Sequence, residues 1–301
     1  MNIAVEIGGT KLQIATGDPV IGTLDKVYRF DVDKGKGAGG ILHTIESQIN
    51  SLSNSPASIS IGFGGPINNQ SGIIMDSHQI EGWSGLNLRQ WFKDRYDANL
   101  YIENDANAAA LGEASYGAGK NYDKVFYITL GSGVGGGCVI SKNIYHGNSP
   151  GEAEIGLMRL NKQGDTIESL CSGWALNNII KEEIQNNEAS ILRTLVGNTN
   201  FHQAKYLGEA LNQKDQLAIE IFNKYCDNLA FGISHVCHLF NPEIVVIGGG
   251  VSLMGERLIT IIEQKLTQYL SASYKPGPEL KLSELGEQVV LVGALSLRYQ
   301  Y

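Results

Sequence analysis

Residues 125–145, VFYITLGSGVGGGCVISKNIY, place a glycine-rich turn between two apolar runs, and this arrangement restricts the local fold strongly. Gly131, Gly133 and Gly136 satisfy the G-x-G-x-x-G pattern of dinucleotide-binding folds, in which the turn leads directly into a helix. Here the residues after the turn are β-branched and aromatic, which predicts a strand instead. The pattern therefore predicts a β-hairpin. Its turn serves either simply to reverse the chain or to offer backbone N–H groups to a phosphate.

Three further glycine turns end predicted strands, at EIGGTK (6–11), GFGGP (62–66) and VIGGGV (246–251). The last is predicted to open a helix, whose N-terminus would offer partial positive charge to a phosphate or nucleotide. In ENDANAAALGE (103–113) a strand meets an alanine-rich helix, with Asn104 or Asp105 as the N-cap. A carboxylate at this boundary lies where α/β folds bind ligands, although capping alone also explains an aspartate here.

Strands alternate with helices along the chain, which predicts the α/β class. A strand, a glycine turn and a return strand occur at residues 2–16 and again at 125–140, so we expect two similar halves. Residues 1–117, together with a C-terminal helix at about 289–301, are predicted to form the first domain. Residues 118–288 are predicted to form the second domain.

Composition excludes some classes of function. The 301 residues carry a net charge of −8, which argues against a nucleic-acid partner because phosphate backbones attract basic surfaces. No apolar run reaches the roughly 18 residues that span a bilayer, and the first residues lack the pattern of a signal peptide. We therefore expect no membrane partner and a cytoplasmic location. The four cysteines are widely spaced, which predicts buried thiols rather than a redox or metal site.

The segments GGTK, FGGP, ENDANAAALGE, LGSGVGGG, GEAEIG and NPEIVVIGGG, in this order and spacing, resemble the ROK family of sugar kinases. The resemblance runs from residue 3 to about residue 297. It implies two similar α/β domains of the actin-like, ribonuclease-H-like type with an active-site cleft between them. It also implies ATP and Mg²⁺ as cofactors and a hexose of glucose or fructose type as substrate. Dimers are common in the family, which leaves a homodimer open.

The resemblance assigns roles to particular residues. The two glycine hairpins are implied to hold the ATP phosphates and the third glycine loop to approach the adenosine. These residues are Gly8, Gly9, Thr10, Lys11, Gly131, Ser132 and Gly133 for the phosphates, and Gly248, Gly249 and Gly250 for the adenosine. The sugar is implied to lie among Gly65, Asn104, Asp105, Glu154 and Glu168. Asp105 is implied to be the catalytic base, which accepts the proton of the sugar hydroxyl.

Two positions depart from the family pattern. Leu157 stands where relatives carry a histidine, and the cysteines of the family's structural zinc site are absent, so we expect no zinc site. Cys171 is predicted to be a core residue of a helix. Glu6 replaces the usual aspartate before the first glycine turn and is expected to reach Mg²⁺ through water. Trp83, in the segment 77–88 that also contains His78, is either a buried anchor or a sugar contact.

Four alternatives stay open at this point. The chain could phosphorylate an N-acetylhexosamine, or bind a sugar or nucleotide without catalysis because Leu157 and the missing zinc cluster depart from the family. A sugar-responsive regulator is disfavoured, since such relatives carry about 80 residues of helix-turn-helix before the first glycine hairpin. An acetate-kinase-type or reductase-activating ATPase of the same fold is disfavoured by the acidic residues assigned to the sugar. The residues identify neither the sugar nor the hydroxyl group that is phosphorylated.

Overall fold

A computed structural model describes residues 1–75, 80–148 and 153–300 of the chain. It separates into two compact units. Unit 1 comprises residues 1–127, 137–153 and 284–301, and unit 2 comprises residues 128–136 and 154–283. The predicted α/β class is confirmed, and the boundary predicted at residue 117 stays a prediction.

Strands and helices alternate as the sequence predicts. The strands are β1 (Asn2–Ile7), β2 (Lys11–Asp18), β3 (Thr23–Asp31), β4 (Ser58–Phe63), β5 (Ile67–Asn68), β6 (Ile73–Ile74), β7 (Asn99–Asn104), β8 (Lys124–Leu130), β9 (Val134–Ile140), β10 (Asn143–Ile144), β11 (Ile244–Gly248) and β12 (Glu279–Leu282). The helices are α1 (Gly37–Asn50), α2 (Leu88–Lys93), α3 (Asp105–Tyr116), α4 (Ile167–Cys171), α5 (Gly173–Glu183), α6 (Ile191–Val196), α7 (Leu207–Asn212), α8 (Gln216–Phe240), α9 (Glu256–Tyr269) and α10 (Val289–Ser296).

The first five-stranded sheet has the order β3-β2-β1-β4-β7. Strand β1 is antiparallel to β2 and parallel to β4, and β4 is parallel to β7. The carboxyl ends of β1, β4 and β7 therefore meet at one edge of the sheet. The residues that follow these ends are Gly8, Gly64 and Asp105, so the topology gathers two glycine turns and the start of α3 at that edge.

The second five-stranded sheet repeats this arrangement in the order β10-β9-β8-β11-β12. The hairpin β8–β9 corresponds to β1–β2, so the repeat predicted from residues 2–16 and 125–140 is confirmed. A strand, Val134–Ile140, follows the glycine turn where a dinucleotide fold would have a helix. This observation removes the structural basis of an NAD site at these glycines.

The predicted helix after the third glycine loop is wrong in one respect. Residues Gly250–Met254 form a 3-10 helix, and α9 begins only at Glu256. Gly249 and Gly255 have φ angles of 82° and 76°, a left-handed conformation that interrupts an α-helix on each side of this turn. The N-terminus of α9 therefore does not follow the glycine loop directly, and the predicted contact of this loop with a nucleotide stays a prediction.

Helix α3 packs against α10 at backbone distance in unit 1. The alanine-rich sequence of α3 is buried from Ala106 to Ala114, because small side chains allow another helix to approach closely. A Cβ atom added at Gly293 of α10 would lie 1.7 Å from the Ala108 carbonyl oxygen. Gly293 on α10 and the alanines on α3 thus allow the two helices to pack closely. This contact holds in place the helix that begins with Asp105.

Trp83 is buried in the core of unit 1, and its ring meets Phe63 edge-on at 5.3 Å between centroids. Burial agrees with an anchoring role for Trp83, while His78 lies outside the described residues. All four cysteines are buried free thiols, and burial raises the pKa of Cys171 in α4 to about 12. Across the described ranges, no helix has the length and apolar character to cross a bilayer.

Candidate active site

The edge of the first sheet brings the first glycine turn, the second glycine turn and Asp105 together. The Gly64 N–H group donates a hydrogen bond of 2.8 Å to the Ile7 carbonyl oxygen. A Cβ atom at Gly64 would lie 3.3 Å from Asp105 Oδ2 and 3.4 Å from the Cα atom of Gly8. Glycine at position 64 is therefore what allows the half-buried Asp105 carboxylate to approach the turn after β1.

Asn104 links the second glycine turn to α3. Its Oδ1 atom accepts hydrogen bonds from the N–H groups of Ala106 and Asn107 at 2.8 and 3.1 Å, so Asn104 is the N-cap. Its Nδ2 group donates to the Gly65 carbonyl oxygen at 3.2 Å. Three of the residues assigned to the sugar, Gly65, Asn104 and Asp105, are thus neighbours in unit 1.

Glu103, a buried carboxylate, precedes Asn104, and its sequence motif did not predict a role for it. Glu103 is 2% exposed, and its oxygens contact Asn69, Asn107 and the N–H group of Asn104. His146 Nε2 lies 2.6 Å from Glu103 Oε2. Neither His146 nor Asn69 stands in a recognisable motif. Only their short distances to Glu103 in the fold identify them.

Glu6 and Lys11 flank the turn of the first hairpin. The Gly8 N–H group donates to the Lys11 carbonyl oxygen at 3.0 Å, and Lys11 Nζ lies 3.3 Å from Glu6 Oε1. Gln13 Nε2 donates to Glu6 Oε2 at 2.6 Å. Burial raises the pKa of Glu6, and the neighbouring Lys11 and Gln13 lower it in part.

These contacts decide how Glu6 fits a magnesium ion. Mg²⁺ keeps several of its waters and takes one or two protein carboxylates beside substrate phosphates. Each Glu6 oxygen has one protein partner and can accept a further hydrogen bond, as contact with a metal-bound water would require. Within the part of the chain that the structure describes, no cluster of three or more His, Cys, Asp or Glu side chains is placed to hold a metal.

In unit 2 the glycine turn of the second hairpin lies against Glu168. The Val134 N–H group donates to Glu168 Oε2 at 2.8 Å, and a Cβ atom at Gly133 would lie 2.4 Å from that oxygen. Glu168 is in the first turn of α4, which Thr166 caps. The sequence assigned Glu168 to the sugar and Gly133 to the phosphates, and the structure shows that the two contact each other.

The third glycine loop meets the same turn within unit 2. A Cβ atom at Gly249 would lie 2.6 Å from the backbone of Leu130, so this close approach requires glycine. The Gly173 N–H group, at the start of α5, donates to the Gly131 carbonyl oxygen at 2.7 Å. The loops assigned to the phosphates and to the adenosine are therefore adjacent.

Glu154 begins a short 3-10 helix, Ile155–Leu157, that also lies beside the second hairpin. A Cβ atom at Gly156 would lie 2.1 Å from the Val134 carbonyl oxygen, so this segment touches the first residue of β9. The Glu154 side chain is exposed, and Leu157 is 67% exposed. An exposed leucine contributes little to the core.

Comparison with known proteins gives the family. A sequence model described as the ROK family matches residues 2–300. The chain is 30% identical to a glucokinase of Thermotoga maritima over 305 residues, which cover 98% of this chain and 96% of that protein. It is 29% identical over 309 residues to a glucokinase of Halalkalibacterium halodurans, with 97% of this chain and 92% of that protein covered.

Among solved structures, a ROK family glucokinase from Streptomyces griseus in complex with glucose and AMPPNP superposes with a TM-score of 0.87. The two chains are 29% identical, and the match covers 100% of this chain and 99% of that chain. The sequence match and the shared fold both extend over nearly every residue. This chain belongs to the ROK family.

Proposed function

We propose that this member of the ROK family, an ATP-dependent sugar kinase, transfers the γ-phosphoryl group of ATP to a hydroxyl group of a glucose-type hexose. The observation that carries the proposal is the Asp105 carboxylate, which lies beside the glycine turns at Gly8 and Gly64. The relatives named as glucokinases support the choice of a glucose-type substrate. A fructose-type hexose is the second candidate.

Asp105 is proposed as the general base. The sugar hydroxyl oxygen forms a bond to the γ-phosphorus while the bond from that phosphorus to the β–γ bridging oxygen breaks, and the hydroxyl proton passes to Asp105. Backbone N–H groups of the two hairpin turns, together with Lys11, would hold phosphate oxygens. Mg²⁺, bound with the nucleotide and reached by Glu6 through water, would neutralise charge on the phosphates.

Gly65, Asn104, Glu154 and Glu168 are proposed to form hydrogen bonds with the hydroxyl groups of the sugar. Hydroxyl-rich ligands need such directional partners, and a buried donor without one is costly. Leu157 removes one polar partner relative to the family, so we propose that this kinase discriminates less strongly among hexoses than histidine-bearing relatives.

A coupled assay of ADP release over glucose, fructose, mannose, galactose, glucosamine, N-acetylglucosamine and N-acetylmannosamine tests the proposal. We expect glucose to give the highest kcat/KM, with activity abolished by EDTA and restored by Mg²⁺. Preference for an N-acetylhexosamine would contradict the glucose assignment. ADP release that no sugar stimulates would contradict the kinase assignment and favour a sugar-binding protein without catalysis.

Gly133→Ala tests the contact between Glu168 and the second hairpin. The new methyl group would occupy the position of Glu168 Oε2, so the carboxylate must turn away and lose the Val134 N–H group. We expect the KM for the sugar to rise about tenfold, which corresponds to about 1.4 kcal/mol. Gly208→Ala, in open space on α7 of the same unit, is the matched control and should leave the KM unchanged. An unchanged sugar KM in Gly133→Ala would exclude Glu168 as a sugar ligand held by this contact.

A further inference from the structure

Glu103 has an unusually complete set of hydrogen-bond donors for a buried carboxylate. Its Oε1 atom accepts from the N–H group of Asn104 at 2.9 Å and from Asn107 Nδ2 at 3.2 Å. Its Oε2 atom is contacted by Asn69 Nδ2 at 3.2 Å and by His146 Nε2 at 2.6 Å. A carboxylate offers about four lone-pair sites, so these four partners fill its capacity.

The contact with His146 is the shortest of the four. Hydrogen bonds between a histidine nitrogen and a carboxylate are shorter and stronger than neutral ones when charge assists them. The other three partners are amide N–H groups, which can only donate to Glu103. We therefore assign the Nε2 hydrogen to His146 and make its imidazole the fourth donor.

His146 reaches Glu103 from a part of the chain 43 residues away, and its backbone is anchored on the second sheet. The preceding residue, Tyr145, donates its N–H group to the Cys138 carbonyl oxygen at 2.8 Å, next to the pairing of β9 with β10. The Glu103 side chain is 3% exposed and that of His146 is 32% exposed. His146, which is half-buried, thus supplies the fourth hydrogen-bond partner of a carboxylate in the core.

On the opposite side, Asn69 is itself held in place. Arg89 Nη2 donates to the Asn69 carbonyl oxygen at 2.8 Å, and Arg89 Nη1 donates to the Leu100 carbonyl oxygen at 3.0 Å. Arg89 lies on α2, so these contacts fix the backbone of Asn69, whose side-chain amide contacts Glu103. Among the described residues, removal of the His146 donor would leave Asn69 as the one partner of Glu103 Oε2.

Glu103 connects these contacts to the proposed base. It is the residue before Asn104, and its Oε1 atom binds the Asn104 N–H group and the Asn107 side chain, on either side of Asp105 in sequence. Loss of one donor to a buried carboxylate is costly, so Glu103 would rotate or draw in water. Either response shifts the first turn of α3, from which Asp105 extends.

We propose that His146 is a positioning residue that holds Glu103 and thereby fixes Asn104 and Asp105 for sugar binding and phosphoryl transfer. The inference rests on the proposed function, because it gives Asp105 the role of base. A misplacement of about 1 Å at a reacting group can reduce the rate about 100-fold. His146 acts on the reaction through Glu103 and is not assigned a contact with the sugar.

Two substitutions of His146 test the inference. In His146→Ala, kcat/KM for the sugar should fall roughly 10- to 100-fold, while the KM for ATP stays near its wild-type value. In His146→Gln, the side-chain amide can still donate to Glu103, so most of the lost kcat/KM should return. His43→Ala removes an exposed histidine of α1 in the same unit and should leave all constants unchanged.

Three results would overturn the inference. They are full sugar kcat/KM in His146→Ala, no recovery in His146→Gln, and an equal rise of the ATP KM and the sugar KM with a lower melting temperature. The last result would show a general structural role instead of positioning.

A measurement without turnover separates failure of this inference from failure of the proposed function. In protein with ¹⁵N-labelled histidine, NMR should show a hydrogen on His146 Nε2 that exchanges slowly in the wild type and rapidly in Glu103→Gln. A hydrogen on Nδ1 alone would refute the pairing, whatever the activity. If the pairing is present but no sugar is phosphorylated by the wild type, the proposed function fails, and the positioning role fails with it.

Discussion

Asp105→Asn is expected to lower kcat for hexose phosphorylation by about 10³-fold, within the range that general-base catalysis contributes. Asparagine has nearly the same shape as aspartate and can still accept the hydrogen bond that Ala106 N–H gives to Asp105 Oδ1 at 2.8 Å. It cannot take up a proton from the sugar hydroxyl. The loss should therefore fall on the chemical step and spare the binding of both substrates.

The experiment measures kcat by ADP release and the dissociation constants of glucose and of a non-hydrolysable ATP analogue by calorimetry. Asp97→Asn is the matched control, because Asp97 is an exposed aspartate of the same unit with no place in the proposed mechanism. Both variants should bind the two ligands as the wild type does. If Asp105→Asn kept wild-type kcat, the base would have to be a different residue.

Gly293→Ala is expected to destabilise the protein by about 3 kcal/mol or more, since overpacking of a tightly packed core costs 1–3 kcal/mol and at times more. The added methyl group would lie 1.7 Å from the Ala108 carbonyl oxygen and 3.0 Å from the Gly112 nitrogen. These are backbone atoms of α3, so no side-chain rotation can relieve the contact. The two helices must separate.

Urea unfolding of Gly293→Ala and of Gly39→Ala measures this effect against a matched substitution. Gly39 lies in α1 with open space around its Cα atom. Alanine there should stabilise the protein by about 0.4–1 kcal/mol, because it restricts the unfolded chain. Equal unfolding midpoints for the two variants would contradict the close packing of α10 on α3.

The sequence was sufficient where local pattern determines structure. Two hairpins with glycine turns, and a strand followed by an alanine-rich helix within residues 99–117, were all predicted from periodicity and turn chemistry. Strand β3, Thr23–Asp31, was not predicted, because TLDKVYRFD mixes charged and apolar residues and most of its side chains are exposed. An edge strand of this kind is defined by its pairing with β2 more than by its own pattern.

In the candidate site, too, residues in local motifs could be predicted from the sequence, and contacts between distant residues could not. Asp105 and the glycine turns were predicted from contiguous motifs and from the family resemblance, and their roles stay predictions. The contact of Glu168 with Val134 joins residues 34 apart, and that of His146 with Glu103 joins residues 43 apart. No spacing in the sequence encodes such a distance, because it depends on how strands and helices pack after they form.

The composition of unit 1 from three stretches of the chain has a consequence for biosynthesis. Residues 289–296, which form α10, are translated after the whole of the segment 154–283 that makes up most of unit 2. Until then the alanine-rich surface of α3 has no partner at Gly293. Most of unit 2 is therefore synthesised while residues 1–127 still lack their last helix. The nascent N-terminal segment therefore lacks the partner that covers α3 until synthesis ends, and incompletely packed surface of this kind promotes aggregation.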